Sequence, residues 1–188
     1  MVRKLATILA VLVVVALTTS SALGSSPHFK RDALPSCTFS TSSGGIATDT
    51  VRCSGAELAG LGNADVGFVL SGSAFATYSC VNQGGNASPG QNRVQFSVPI
   101  ASQTIPSTDI RNGNLAMPTL STTGSAPNVS ASQAGCSNSN WTAQPASVGI
   151  TSVTLTISQP PGTSLFTCTA SNPNGFQSGE TVTLSCTQ

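Results

Sequence analysis

The chain has 188 residues, only 7% of them charged, and carries six cysteines and a single histidine, His28. Ordinary globular domains hold roughly 25% charged residues, so solubility here must come from Ser, Thr, Asn and Gln. Seven Lys plus Arg against six Asp plus Glu give no basic footprint for nucleic-acid phosphates or anionic lipid.

Residues 1–24 read as a secretory signal peptide. Arg3 and Lys4 form the positive start, Leu5 to Leu17 is apolar apart from Thr7, and Ala22-Leu23-Gly24 fits a small-residue cleavage pattern. A membrane anchor competes, but the apolar run is shorter than the roughly 20 residues a bilayer core requires. Residues 25–31 read as a short propeptide ending in Lys30-Arg31. That pair resembles the recognition site of the furin and kexin processing proteases, the alternative being an exposed basic pair in a flexible N-terminus.

Trimming after Arg31 leaves residues 32–188, enough for one domain. Its only basic side chains are Arg52, Arg93 and Arg111, set against Asp32, Asp49, Glu57, Asp65, Asp109 and Glu180, for a net charge of −3. No histidine or lysine remains, so the usual proton shuttle of neutral-pH catalysis is missing.

Along this domain nearly every patterned segment alternates with period two. In chain order the expected strands are Ser36–Thr41, Asp49–Cys53, Asp65–Ser71, Ala74–Val81, Val94–Ile100, Asn114–Leu120, Val148–Ile157, Ser164–Ala170 and Thr181–Cys186. Turns are expected at Gly44-Gly45, Gly84-Gly85, Asn112-Gly113, Pro160-Pro161-Gly162 and Asn174-Gly175. Pro99 should disturb its strand or place it at an edge. A single helical turn is expected near Pro106 to Ile110, with Ser107 as its cap. The stretches Gln83 to Gln91 and Ser121 to Thr142 read as long loops that could form one functional end.

Short strands at this spacing predict an all-β fold, an antiparallel two-sheet sandwich, with an immunoglobulin-like Greek key ahead of a jelly roll or small barrel. In an exported domain six cysteines imply three disulfides, and sequence alone allows fifteen pairings. The pairing chosen is Cys37 with Cys53, flanking the Gly44-Gly45 turn, and Cys168 with Cys186 between neighbouring strands. Cys80 with Cys136 would then fasten a long insertion. Zinc ligation is not expected, because residues 32–188 hold no CxxC pair and no histidine.

Three glycosylation acceptors stand at Asn86-Ala87-Ser88, Asn128-Val129-Ser130 and Asn140-Trp141-Thr142. Pro89 should lower use of the first, and Asn128 sits in the most loop-like surroundings. Such triplets also arise by chance in an Asn- and Ser-rich chain.

No Ser-His-Asp or Cys-His arrangement can be assembled downstream of His28. Paired carboxylates from Asp49, Glu57, Asp65, Asp109 and Glu180 are the remaining acid-base option, with solvated loop carboxylates as the plainer reading. Asp49-Thr50-Val51 echoes the Asp-Thr-Gly of aspartic proteases but lacks the glycine and a second copy. Asn63-Ala64-Asp65 is the best calcium candidate, without the dense acidic spacing of a calcium loop. Trp141 has two readings: a core residue packed beside a disulfide, or an exposed platform for a sugar ring or a partner.

The segments Gly60-Leu61-Gly62-Asn63, Cys80-Val81-Asn82-Gln83-Gly84-Gly85-Asn86 and Asn140-Trp141-Thr142, in this order, resemble small secreted microbial proteins of no assigned activity. The likeness spans roughly residues 56–157. It implies a compact extracellular β domain and carries over no site residues. The resulting expectation is a secreted, monomeric, non-catalytic binding module without cofactor or metal, which recognises a surface glycan or an extracellular protein. It should contact neither nucleic acid nor, after signal removal, membrane. A structural cell-wall or matrix protein and a small glycoside hydrolase with paired carboxylates are the alternatives.

Overall fold

A computed structural model describes residues 26–31, 33–42 and 47–188. The expected signal peptide and the Gly44-Gly45 turn lie outside the described residues. The strands are β1 (His28–Phe29), β2 (Ser36–Ser42), β3 (Thr48–Ser54), β4 (Glu57–Ala59), β5 (Val66–Val81), β6 (Ala87–Pro89) and β7 (Val94–Ile105). They continue with β8 (Leu115–Ala116), β9 (Leu120–Ser125), β10 (Thr142–Ser158), β11 (Ser164–Ser171), β12 (Thr181–Thr183) and β13 (Ser185–Thr187). One 3₁₀ turn covers Ser107–Asp109. Among the described residues no helix is long and apolar enough to cross a membrane.

Alternation decides which face each strand buries. On β10, Val153, Leu155 and Ile157 are buried while Thr154 and Thr156 between them are not. On β9, Leu120, Thr122 and Gly124 point inward and Ser121, Thr123 and Ser125 outward. This period of two is what a sheet with one covered face requires.

All strand pairings are antiparallel. One sheet runs β12-β2-β3-β9, a larger one β13-β11-β10-β5-β6, and a small one β1-β4-β8. β7 also pairs with β5, along Val66 to Ala76, while β6 takes Ser79 to Val81. The long β5–β10 ladder shifts register between Pro145 and Ser147 and again between Ile150 and Ser152. Each bulge bends its strand and increases the local twist, and the larger sheet curls into a half-barrel.

Curling brings β7 against β9, where the Thr122 hydroxyl donates to the Pro99 carbonyl at 2.6 Å. Gly124 leaves room there for the Phe96 ring and Val98. Between the facing sheets lie Phe39, Val51, Phe68, Leu70, Ile150, Leu155, Ile157 and Leu184, with Phe39 stacked on Phe176 at 4.1 Å. The all-β, antiparallel architecture is thus consistent with a sandwich.

Three disulfides brace it: Cys37–Cys53, Cys80–Cys136 and Cys168–Cys186. The first and third join Cα partners across neighbouring strands, 4.0 and 3.9 Å apart. Such bonds persist in an oxidising, extracellular type of environment.

Several sequence expectations need correction. Asp65–Ser71 and Ala74–Val81 are one strand, β5, because Gly72 lets the backbone pass close to the Ser152 carbonyl of β10. Asn114–Leu120 is not a strand. Asn112 (φ 50°) and Gly113 (φ 73°) close a two-residue turn between Arg111 and Asn114, Leu115–Ala116 then pairs with β4, and Leu120 already opens β9 against β3. Thr181–Cys186 is split at Leu184, which is buried where the chain crosses from the four-stranded sheet to the larger one. Ser107 does not cap the 3₁₀ turn; its N–H instead donates to Asp65 Oδ1 at 2.8 Å. Pro99 does sit on a strand whose sheet pairing, among the described residues, is with β5 alone, at the shift between Leu70 and Gly72.

The segment expected to end a propeptide lies against the body. β1 pairs with β4, Phe29 packs on Phe166 at 4.5 Å, and Lys30 Nζ reaches Glu57 Oε2 at 3.0 Å.

Candidate functional site

Two connections meet at one end of the larger sheet. The first turns from β5 into β6. There the Asn82 N–H donates to the Asn86 carbonyl, the Gly85 N–H to the Asn82 carbonyl, and the Asn86 N–H to Asn82 Oδ1. Asn82 thus spends its side-chain oxygen on its own turn, as asparagine commonly does.

The second is the stretch from Ala126 to Trp141, which leads from β9 to β10. It buries only small side chains, Ala131 and Ala134, so polar contacts and one disulfide must fix it. The Tyr78 hydroxyl donates to the Pro127 carbonyl at 2.6 Å, and the Asn92 N–H to the Ala134 carbonyl at 3.2 Å. At Gly90 an added Cβ would stand 2.6 Å from the Ala134 carbonyl oxygen, so only glycine lets this stretch lie down. Cys80–Cys136 pins it to the end of β5, with the Cα atoms 5.6 Å apart. Tyr78 is buried, and burial pushes its phenol above the ordinary range, which keeps the donor protonated.

Beyond Cys136 the chain repeats the device of the first turn. The Asn140 N–H donates to Asn138 Oδ1 at 2.9 Å and the Trp141 N–H to the Asn138 carbonyl at 3.1 Å. The two asparagine turns face one another across a cleft of about 270 Å³ lined by Asn82, Gln83, Gly84, Asn138, Asn140 and Trp141. That volume is near the lower end of the roughly 300–1,000 Å³ of small-molecule sites. Every lining side chain is uncharged, and all but glycine and tryptophan carry a carboxamide. With Oδ1 of Asn82 and Asn138 engaged, their Nδ2 groups remain as donors toward a ligand.

Trp141 is half-buried and stands outside the hydrophobic core. Its reading as a core residue is therefore corrected: the disulfide beside it fastens a loop rather than filling the space between the sheets. The two loop stretches read from sequence, Gln83 to Gln91 and Ser121 to Thr142, do meet here, although Ser121–Ser125 belongs to β9 and Ala87–Pro89 to β6. Sequence reading did not single out Asn82, Gln83 or Asn138. The disulfide partners Cys80 and Cys136 were the available signal, since each stands two residues from one of the asparagines.

The other candidates lie elsewhere. Asn86, Asn128 and Asn140 are all exposed. Glu57 is paired with Lys30, and Glu180 Oε2 accepts the Gln177 N–H. Asp109 lies in the 3₁₀ turn. Asp65 is spent on Ser107, and the Gln159 amide donates to the Gly62 and Ala64 carbonyls, so the oxygens around Asn63 already have partners. No group of three His, Cys, Asp or Glu able to hold a metal occurs among the described residues.

Asp49 is fully buried. Its Oδ2 accepts the Ile150 N–H at 2.9 Å, at the β10 bulge, while Oδ1 has no partner among the described residues. Burial pushes this carboxyl above its ordinary range, against the bonds from the Ile150 and Thr50 backbones. Its place between the sheets, remote from solvent, suits support of the bulge rather than proton transfer to a substrate. No family model, curated protein or solved structure matches the chain.

Proposed function

We propose that this protein is a secreted, non-catalytic binding module whose cleft beside Trp141 takes the exposed end of a neutral surface glycan. The observation that carries the reading is the lining itself: four carboxamide side chains and a tryptophan, without a single charge. Carboxamides offer both donors and acceptors, which suits a ligand made of hydroxyl groups. The indole supplies an apolar face with a polar edge for the C–H side of a sugar ring. Two self-capped asparagine turns tied by Cys80–Cys136 pre-organise the cleft, which lowers the ordering cost of binding. No carboxylate lines it, so hydrolysis by paired acids finds no support there.

Export, expected from residues 1–24, is supported by the pairing of all six cysteines. The likeness to small secreted microbial proteins of unassigned activity is compatible with this reading. An extracellular protein displaying the same glycan is the expected partner.

We further infer an immunoglobulin-like Greek key, on the strand order. Taking β2, β3, β5, β7, β9, β10 and β11 as A, B, C, C′, E, F and G puts A-B-E in one sheet and C′-C-F-G in the other. The inter-sheet B–F disulfide of antibody domains has no counterpart, since Cys37–Cys53 joins A to B. In that frame the cleft is formed by the C–C′ and E–F connections, at the end opposite the antigen-binding loops.

A glycan array probed with the wild-type chain and with Trp141→Ala, both made in a host that adds no N-linked glycans, tests the binding reading. Wild type should bind a neutral glycan, and the variant should bind it at least about tenfold more weakly, a loss of roughly 1.4 kcal/mol, with its circular dichroism unchanged. Binding of no glycan, or equal binding by both proteins, would reject it. Resistance to salt extraction with release by glucanase would favour the structural wall protein instead.

A further inference from the structure

The cleft contains its own potential occupant. Asn140 lines the cleft and is exposed, and it opens the acceptor triplet Asn140-Trp141-Thr142. Its backbone is fixed by the Asn138 turn, while its side-chain amide makes no hydrogen bond among the described residues. Trp141, the middle residue of the triplet, forms the neighbouring wall. Any sugar attached to Asn140 Nδ2 therefore starts at the wall of a cleft of about 270 Å³, within reach of the same carboxamides and indole that an outside glycan would meet.

We infer that an N-linked glycan on Asn140 occupies the cleft beside Trp141, so that the site holds either the protein's own sugar or an external one. The second half of this inference rests on the proposed glycan binding; the first does not. The modification joins Asn140 Nδ2 to C1 of a saccharide carried on a lipid diphosphate. The C1–O bond breaks, the lipid diphosphate leaves with the electron pair, and the amide proton passes to a base of the transferase. Glycosylation at Asn140 is then an autoinhibitory device, and the fraction of unmodified protein sets the number of open clefts.

The other two acceptors differ. Asn128 lies in the stretch after β9 and does not line the cleft. Asn86 is followed by β6 and by Pro89, which disfavours its use. Thr142, the residue that completes the Asn140 triplet, is exposed, pairs with Val81 at the start of β10 and does not line the cleft. Changing it removes the acceptor and leaves every lining side chain in place.

The experiment uses the full chain secreted from a eukaryotic host as wild type, Thr142→Ser, which keeps the acceptor, and Thr142→Ala, which abolishes it. Glycopeptide mass spectrometry reads occupancy at Asn140. Acrylamide quenching reads exposure of Trp141, the only tryptophan in the chain. A glycan array reads binding.

Wild type and Thr142→Ser should carry the glycan and quench weakly. Thr142→Ala should quench more strongly and bind array glycans at least about tenfold better. An unmodified Asn140 in the wild type, or equal quenching in all three proteins, overturns the inference. Array binding that is detectable and equal for modified and unmodified protein overturns it as well. If quenching differs as expected but no form binds any glycan, self-occupancy stands and the proposed binding function fails alone.

Discussion

The β10–β11 ladder and the stretch from Ala126 to Trp141 each carry one end of a disulfide, yet they are held by opposite means. In the ladder Val153, Leu155, Ile157 and Phe166 are buried and paired over seven register positions from Ser152 to Ser158. Cys168–Cys186 then links strands that are already neighbours. The loop stretch buries two alanines, and its position depends on Cys80–Cys136, the Tyr78 hydroxyl and the close approach at Gly90. Apolar burial scales with area, so a segment of small polar residues gains little from it and must be tied down. The body is built by packing and the cleft by tethers.

Breaking one tether in each region tests this division, with the largest effects expected of any change considered. Cys80–Cys136 closes a span of 56 residues, worth about 4 kcal/mol in chain entropy, against about 3 for the 18-residue span of Cys168–Cys186. Replacing both cysteines of each pair by serine should lower stability in that order in denaturant melts. Only the Cys80/Cys136 double variant should also change the emission of native Trp141. Equal emission changes in both double variants would erase the distinction between packed body and tethered loop.

A smaller effect is expected within the body, at Asp49. Asp49→Ala leaves the Ile150 N–H buried without its acceptor, a loss of about 1–3 kcal/mol. The carboxyl's folded pKa lies above its ordinary value of 3.8, so the folded state holds the proton more tightly than the unfolded chain. This contribution is complete below that value and is lost as pH rises through the raised pKa. Wild-type stability relative to Asp49→Asn should therefore fall as pH rises from about 4, while native Trp141 emission stays constant. A stability difference that does not change with pH would show that burial leaves the Asp49 pKa where it stands in the unfolded chain.

The same division explains what could be read from sequence. Alternation in Val148–Ile157 announced a strand because a half-covered sheet selects apolar residues at every second position. Cys168 and Cys186 sat in two such runs, and their strands are neighbours in register. Asn114–Leu120 misled because its apolar residues follow a tight turn and serve a two-residue bridge before the chain crosses to β9. The dibasic Lys30-Arg31 reads as a processing signal from composition alone, whereas the Lys30–Glu57 ion pair joins residues that only the fold brings together. The cleft was legible only as two loops and a tryptophan. Its carboxamides come from turns more than fifty residues apart, and a turn-capping asparagine leaves the same mark in sequence whether or not it also faces a ligand.

Tyr78 joins the two regions, since its ring lies in the core and its hydroxyl holds the loop carbonyl of Pro127. Tyr78→Phe keeps the ring and leaves that carbonyl without its donor, at a cost of about 1 kcal/mol, the smallest change expected here. Because burial raises the phenol's pKa above its ordinary value of 10.0, the folded state favours the protonated form. That stabilisation is present below the ordinary value and disappears as pH rises through the raised one. The wild-type loop should therefore loosen in strong alkali, seen as increased acrylamide quenching of Trp141 while far-ultraviolet circular dichroism persists. Tyr78→Phe should show the looser loop at neutral pH and no further alkaline step. If the variant quenches like wild type at neutral pH, the hydroxyl is not one of the tethers, and the cleft end rests on Cys80–Cys136 and the Gly90 contact alone.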